Sequence, residues 1–312
     1  MRSLFFEDWD ASYGSPYLIS HDQPDGTAVL KEDADGMRIA PTPAVPRRTA
    51  FVDGVRRGEG LLYRLDADGE LVRGTVGAFA CGAVLCVAGQ RPVYGPIQTE
   101  RLVIFGAGVS LSLPPADGYD WRAASIDSVE PDAPLAELQE LMRAAEGQLA
   151  VRLARDGWLT VVDGTLRFVG SGDLPVVGLV KTHHQRLLPP DEHAQVAGLL
   201  CGERTPLFVH DKWYSCYVRI AVPGTRSSPW YGIVRLELPQ SAGLEVARAT
   251  VDEVACVLPG YAGIAHRDPR APQNLQPVGA LEKQLRRRLG PVRLASRAAR
   301  IAVDLYDLRA SA

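Results

Sequence analysis

Two segments of this sequence close a run of strand-forming residues with the same Asp-Gly pair, Phe51-Val52-Asp53-Gly54 and Val161-Val162-Asp163-Gly164. In each, the apolar residues suit a buried strand, the aspartate is its last side chain, and the glycine lets the backbone turn. A glutamate, Glu146, lies in a helical pattern just before the second run. From Glu146 to Asp156 a helix climbs about 15 Å. The chain reverses at Gly157, and a strand from Trp158 to Asp163 returns about 16 Å. Glu146 and Asp163 therefore come back to one level, as ligands of a single ion would. Carboxylate oxygens suit hard divalent cations, and three can hold one or two ions while leaving positions for water and phosphate. The chemistry is metal-assisted phosphodiester hydrolysis, in which two ions about 4 Å apart serve the attacking water and the leaving oxygen. A lone Asp-Gly at a strand end is ordinary turn chemistry. A lone helical glutamate more often pairs with an arginine such as Arg143 or Arg152. The spacing of all three is what points to a site.

The elements that must carry these acids are legible in outline. The spacing predicts strands over Thr49–Asp53, Gly60–Asp66 and Leu71–Val87, with a hairpin turn at Asp66-Ala67-Asp68-Gly69. A further strand is expected over Glu100–Phe105, with Pro114–Gly118 as a loop. A helix over Ala133–Arg155 follows from the stripe Leu135, Leu138, Met142, Ala145, Leu149 and Leu153, from Asp132 and Pro134 at its start, and from Gly157 at its stop. Later strands are expected over Val176–Lys181, Leu207–Val209, Tyr214–Ala221 and Trp230–Leu238. Helices are expected over Val246–Val257, Val278–Leu289 and Leu294–Leu308. Three strands, a helix and a fourth strand, with acids on the first, the helix and the fourth, predict an α/β fold: an RNase H-like mixed β-sheet flanked by helices. A right-handed crossover then sets the fourth strand beside the first, and both aspartates project to one end of the sheet. Residues 1–48, rich in Gly, Pro and Asp, read as an N-terminal arm that covers a sheet edge or mediates dimerisation. Residues 49–312 read as the nuclease-like domain with its C-terminal helices.

Composition narrows the class. The chain has 312 residues, 46% hydrophobic and 23% charged, with a formal net charge of −3, so a nucleic acid would have to be met by a local basic patch. No run is long enough to span a membrane and the first residues are not a secretory signal. Five scattered cysteines (81, 86, 201, 216, 256) read as reduced thiols of a cytoplasmic protein, and none completes a zinc site.

A second group of chemically able residues is Lys181, His183, His184 and Arg186. Lys181, at a strand end near the acids, would steady a scissile phosphate or the transition-state charge. His184 reads as a solvated loop residue, and Glu237, two residues from Arg235, as structural. Arg286-Arg287-Arg288 reads equally as a DNA-phosphate contact and as a solvated helix face. Trp158, Trp213 and Trp230 read as core or interface rather than base-stacking platforms.

Five segments together resemble the NurA nuclease family. These are Phe51–Gly54, Glu146 with Val162–Leu166 seventeen residues on, Val177–Lys181, Tyr231–Glu237 and His266-Arg267-Asp268-Pro269-Arg270-Ala271-Pro272-Gln273-Asn274-Leu275. The resemblance implies an RNase H-like core and a manganese- or magnesium-dependent deoxyribonuclease. Its implied activities are single-strand endonuclease and 5'-3' exonuclease action on DNA ends in double-strand break repair. It further implies a homodimer and a hexameric HerA-type ATPase partner, with Asp53, Glu146 and Asp163 as the metal-binding acids. Many family members carry a tyrosine and, eight residues later, a histidine near the C-terminal helix. Here Gln273–Glu282 contains neither. Asp268 and Glu282 are both able to stand in for an imidazole ligand, and His266 is the nearby histidine. The missing pair also admits a weakened or inactive adaptor that binds DNA or the ATPase without cutting. A hydrolase of small phosphate esters is a third reading, which the basic tail disfavours.

Overall fold

The computed structural model describes residues 9, 15–19, 25–42, 48–65, 69–166, 174–225 and 227–310. In chain order the strands and helices are β1 (Val29–Leu30), β2 (Thr49–Leu65), β3 (Leu71–Cys86), β4 (Val93–Phe105), β5 (Arg122–Ser125), α1 (Ala133–Arg155), β6 (Leu159–Asp163), β7 (Val176–Val180), α2 (Pro190–Val196), β8 (Phe208–His210), β9 (Trp213–Arg219), β10 (Ile233–Pro239), α3 (Leu244–Val257), α4 (Gln276–Leu289) and α5 (Val292–Ala310). They fall into two compact units. One comprises Met1–Val52, Val84–Val93 and Gly147–Ala280, the other Asp53–Ala83, Tyr94–Glu146 and Leu281–Ala312. The chain passes from one to the other within β2, β3, β4, α1 and α4.

The first unit is built on a mixed sheet in the order β1-β8-β9-β10-β7-β6, ending on the first residues of β2. β2 runs parallel to β6 from Thr49↔Leu159 to Val52↔Val162, so the fourth major strand does lie beside the first. β6 is in turn parallel to β7, with Asp163 opposite Leu179. Both are continuous apolar runs, Leu-Thr-Val-Val and Val-Val-Gly-Leu-Val, and are buried almost throughout, as parallel strands covered on two faces must be. The other pairings, β7 with β10, β10 with β9, β9 with β8 and β8 with β1, are antiparallel.

α1 has the expected bounds, and its stop is explained locally. Gly157 adopts φ +82°, Trp158 N–H donates to Leu153 O at 3.0 Å, and Gly157 N–H donates to Ala154 O at 3.0 Å. This is the Schellman pattern, which satisfies carbonyls the helix end leaves open and reverses the chain into β6. Arg48 reinforces the turn by donating to Asp156 O at 2.7 Å and stacking over Trp158.

The described part of the arm is bound into this unit. β1 adds an edge strand to β8, and Glu32 takes both Nη atoms of the fully buried Arg204 at 2.6 and 2.8 Å. Asp252 on α3 accepts Arg204 Nε–H at 2.6 Å. Tyr17 pairs with His183, packs on Trp230 and reaches His193 Nε2 at 3.2 Å. A second buried cation, Arg219, is held differently. Its donors go to the carbonyls of Leu199 at 2.6 Å, Ala197 at 2.9 Å, Pro229 at 2.8 Å, and to that of Tyr231.

In the second unit the strand order runs from the remainder of β2 through β3 and β4 to β5, and β4 and β5 are parallel. α1 lays Leu138, Met142 and Ala145 on Phe79, Cys81, Leu102 and Ile104. α5 lays Ala298, Ala299 and Ala302 on Val76, Val103, Phe105 and Trp121. Alanines let the helix axis approach this layer closely.

Three expectations change or fall outside. Thr49–Asp53 and Gly60–Asp66 are not two strands but one of 17 residues, because Gly54 sits in extended backbone rather than in a turn. The expected hairpin turn lies outside the described residues at 66–68. β1 and α2, of two and seven residues, were too short to leave a periodic signal. Among the described helices, none is long and apolar enough to cross a membrane.

His183 and His193 predict the acid behaviour of this fold. Burial, with smaller contributions from Arg235, His193 and His184, pushes His183 down to about 3 although it bonds Ile233 O. Burial and the charge of Arg186 push His193 down to about 4. Both are neutral when folded, while the unfolded chain takes up their protons below its usual value of about 6.5. Their stabilising effect is complete above that pH and is lost as pH falls towards 4 and then 3. Thermal melts should therefore show a falling midpoint below about pH 6.5. His183→Gln should flatten this decline, and an unchanged slope would remove His183 as its source.

Candidate metal site

In the first unit, Asp163 ends β6, and Gly164 with φ +95° turns the chain away immediately after it. A Cβ on Gly178 would stand 2.8 Å from Gly164 O, so two glycines let β7 lie close under this turn. The β6–β7 register explains the partner. Lys181 lies two residues past Leu179, the residue opposite Asp163, and so emerges on the same face. Its Nζ donates to Asp163 Oδ2 at 2.6 Å and to Asn274 Oδ1 at 2.7 Å. Asp163 Oδ1 is buried and, among the described residues, has no hydrogen-bond partner.

The network continues beyond Lys181. Asn274, fully buried, donates Nδ2–H to Asp268 Oδ2 at 2.7 Å. Asp268 Oδ1 accepts the Arg270 backbone N–H at 2.8 Å. On α4, a Cβ at Gly279 would stand 2.7 Å from Asp268 Oδ2, so glycine there makes room for the carboxylate. Asp268, expected at the site in place of the missing imidazole, thus lies at the far end of a hydrogen-bonded line from Asp163. Asn274 left no signal in sequence beyond being a polar residue between Gln273 and Leu275.

In the second unit, Asp53 is buried and its Oδ1 accepts the Gly54 N–H at 2.8 Å. Glu146 is buried as well and reaches β2 one residue further on. A Cβ on Gly54 would lie 2.3 Å from Glu146 Oε1 and 2.9 Å from Met142 Cγ. Gly54 is therefore needed for clearance, not for turning. Glu282, on α4, offers a carboxylate oxygen within 4.8 Å of one from Asp53. The end of α4 is fixed to the strands by two arginines. Arg57 of β2 and Arg101 of β4 donate to Leu289 O at 2.8 and 2.6 Å, and the buried Glu59 accepts from Arg57 at 2.7 Å. Cations capping those carbonyls oppose the negative end of the helix dipole.

Asp53 and Glu282 in the second unit, and Asp163 in the first, are carboxylates of a kind that could hold a metal ion. An all-oxygen set fits a hard divalent cation, and Asp163 Oδ1, buried with no hydrogen-bond partner among the described residues, is open to a further ligand. Glu282 entered the sequence reading only as a substitute fourth ligand. Of the remaining candidates, His266 and His184 are exposed and His183 is buried among Tyr217 and Trp230. Arg186 pairs with Asp25 at 2.8 Å. Arg235 pairs with Glu237 at 2.6 Å, the structural role expected for that glutamate.

No protein-family model and no curated protein matches the chain. Among solved structures it is similar to the crystal structure of the NurA nuclease from Sulfolobus solfataricus, with 14% identity, over 80% of this chain and 86% of that one, at a TM-score of 0.43. A likeness that distant does not speak for chemistry, which has to rest on the residues.

Gly54→Ala tests the clearance argument. It should cost about 1–3 kcal/mol, the usual penalty of overpacking, read from chemical denaturation. Gly58→Ala is the control, since its Cβ would meet only Leu135 Cδ1 at 3.8 Å. Equal effects at the two glycines would refute a special role for Gly54.

Proposed function

We propose that this protein is a divalent-cation-dependent deoxyribonuclease whose acting groups are Asp163 and Lys181 in the first unit and Asp53, Glu146 and Glu282 in the second. The observation that carries the reading is Asp163, with one oxygen on Lys181 and the other buried without a bond among the described residues. The sequence resemblance to NurA nucleases supports the same substrate class and, with it, manganese or magnesium, a second ion, DNA ends and single strands, a homodimer and a HerA-type ATPase partner.

A divalent cation held by these acids would supply Lewis-acid activation of a phosphodiester and of water. The chain's own groups would do the rest. The carboxylates would hold the ion and would accept hydrogen bonds from water brought to it. Lys181 offers an ammonium to the charge that grows on the phosphoryl oxygens, in a setting where Asp163 and Asn274 already orient it. Glu146, held against Gly54, keeps a carboxylate beside the backbone that carries Asp53. Arg286, Arg287 and Arg288, exposed in the last turn of α4, supply positive charge for a phosphate backbone.

The test is cleavage of end-labelled single- and double-stranded DNA with manganese, magnesium or EDTA. Wild type should cut only with metal, and Asp53→Ala or Asp163→Ala should abolish cutting while leaving the circular dichroism spectrum intact. Full activity in both variants would show the site to be elsewhere. DNA binding without cutting by wild type would favour the inactive adaptor instead. Replacing Arg286, Arg287 and Arg288 with alanine should weaken DNA binding and flatten its salt dependence, with up to about three fewer counterions released. An unaltered salt slope would return these arginines to the role of a solvated face.

A further inference from the structure

We propose that Asn274 is a positioning residue for Lys181 and that Asp268 acts by fixing the orientation of the Asn274 amide. The proposal deepens the nuclease reading only where it concerns turnover. The geometric claim stands without it.

The order of donors and acceptors along the line admits one arrangement. A lysine ammonium only donates, so the Asn274 atom 2.7 Å from Lys181 Nζ must be the carbonyl oxygen. An ionised carboxylate only accepts, so the atom 2.7 Å from Asp268 Oδ2 must be the amide nitrogen. Each neighbour alone would settle the rotation of the amide, and they agree. Asp268 is itself immobilised by the Arg270 N–H and by its fit against Gly279. Because Asn274 is fully buried, no water competes for its amide, and a flipped orientation would set donor against donor on one side and acceptor against acceptor on the other. The consequence falls on Lys181. Four rotatable bonds separate its ammonium from the backbone, and two acceptors, Asp163 Oδ2 and Asn274 Oδ1, restrict it to one place. Asp163 alone would hold the charge but not its direction. Asn274 supplies the second point, and Asp268 keeps that point a carbonyl.

The proposal makes an exchange test available. Asn274→Leu keeps the volume and removes the acceptor. Asn274→Asp keeps the acceptor but sets two carboxylates against each other. The double variant Asp268→Asn with Asn274→Asp restores the order of donors and acceptors. In it the amide now at position 268 donates to the carboxylate now at position 274, and that carboxylate accepts from Lys181. The carbonyl of the amide at 268 can still take the Arg270 N–H. The first readout is the rate at which Lys181 is acylated, measured by peptide mass spectrometry on the full chain without DNA or metal. Loss of the charge-assisted bond should raise the rate about tenfold in Asn274→Leu, and in Asn274→Asp repulsion from Asp268 should turn the new carboxylate away from Lys181 and raise the rate as well. The double variant should return to within about threefold of wild type, since the same bond is remade. The second readout is kcat against KM in the DNA cleavage assay, where the single variants should lower kcat, leave KM nearly unchanged, and be rescued by the exchange. Unchanged acylation in Asn274→Leu, with an intact thermal melt, would overturn the proposal. So would a double variant no better than Asn274→Asp. Restored Lys181 protection with no cleavage by any form would instead uphold the positioning claim and overturn the nuclease reading.

Discussion

Negative charge taken out of water has to be answered where it sits, and the acids of this chain dictate much of what surrounds them. Asp53 and Glu146 are 6% and 5% exposed, and the unbonded oxygen of Asp163 is buried. An uncompensated buried carboxylate costs several kcal/mol. The neighbouring structure supplies the compensation piece by piece. Lys181 comes to Asp163 because parallel β6 and β7 run in a register that puts both on one face. The Gly54 N–H comes to Asp53 from the next peptide. Further along β2, Arg57 and Arg101 surround Glu59 and at the same time close the end of the helix that bears Glu282. The charges that could hold a cation and the charges that stabilise the scaffold are thus carried by the same few elements.

What the sequence revealed and what it hid divide along one physical line. α1 is legible to the residue because every determinant is local, namely a stripe at helical spacing and a glycine that can take a positive φ at residue 157. The position of β6 beside β2 is legible because a chain that has laid down β3, β4 and β5 and then α1 has one favourable crossover back beside its first long strand. Gly54 misleads because two different demands select the same residue. Gly164 is a glycine of conformation, with φ +95°, whereas Gly54 is a glycine of space, cleared for the carboxylate of a helix far later in the sequence. Composition cannot separate those two causes. The merging of two expected strands into one follows from the same misreading.

The site was legible in its acids and not in its organisation. Asp53 and Asp163 stand out because each follows an apolar run and the two are spaced with Glu146. Lys181 stands out because it follows another such run. Asn274 does not, since its meaning arises only when Lys181 and Asp268 arrive on its two sides, one of them 93 residues distant. Glu282 is legible only as a substitute for a missing ligand, because its neighbours Lys283 and Arg286 give it the look of a solvated helix face.

Arg219 has a different kind of consequence. Its guanidinium is buried and is satisfied by four main-chain carbonyls rather than by any side chain. A residue that grips only peptide oxygens is indifferent to what the gripped residues are. Arg219 therefore sets no demand on the side chains at Ala197, Pro229 and Tyr231, whereas Leu199 and Trp230 answer to the apolar core they pack in. At its contact points the backbone can keep its register through changes of side chain that the arginine never meets.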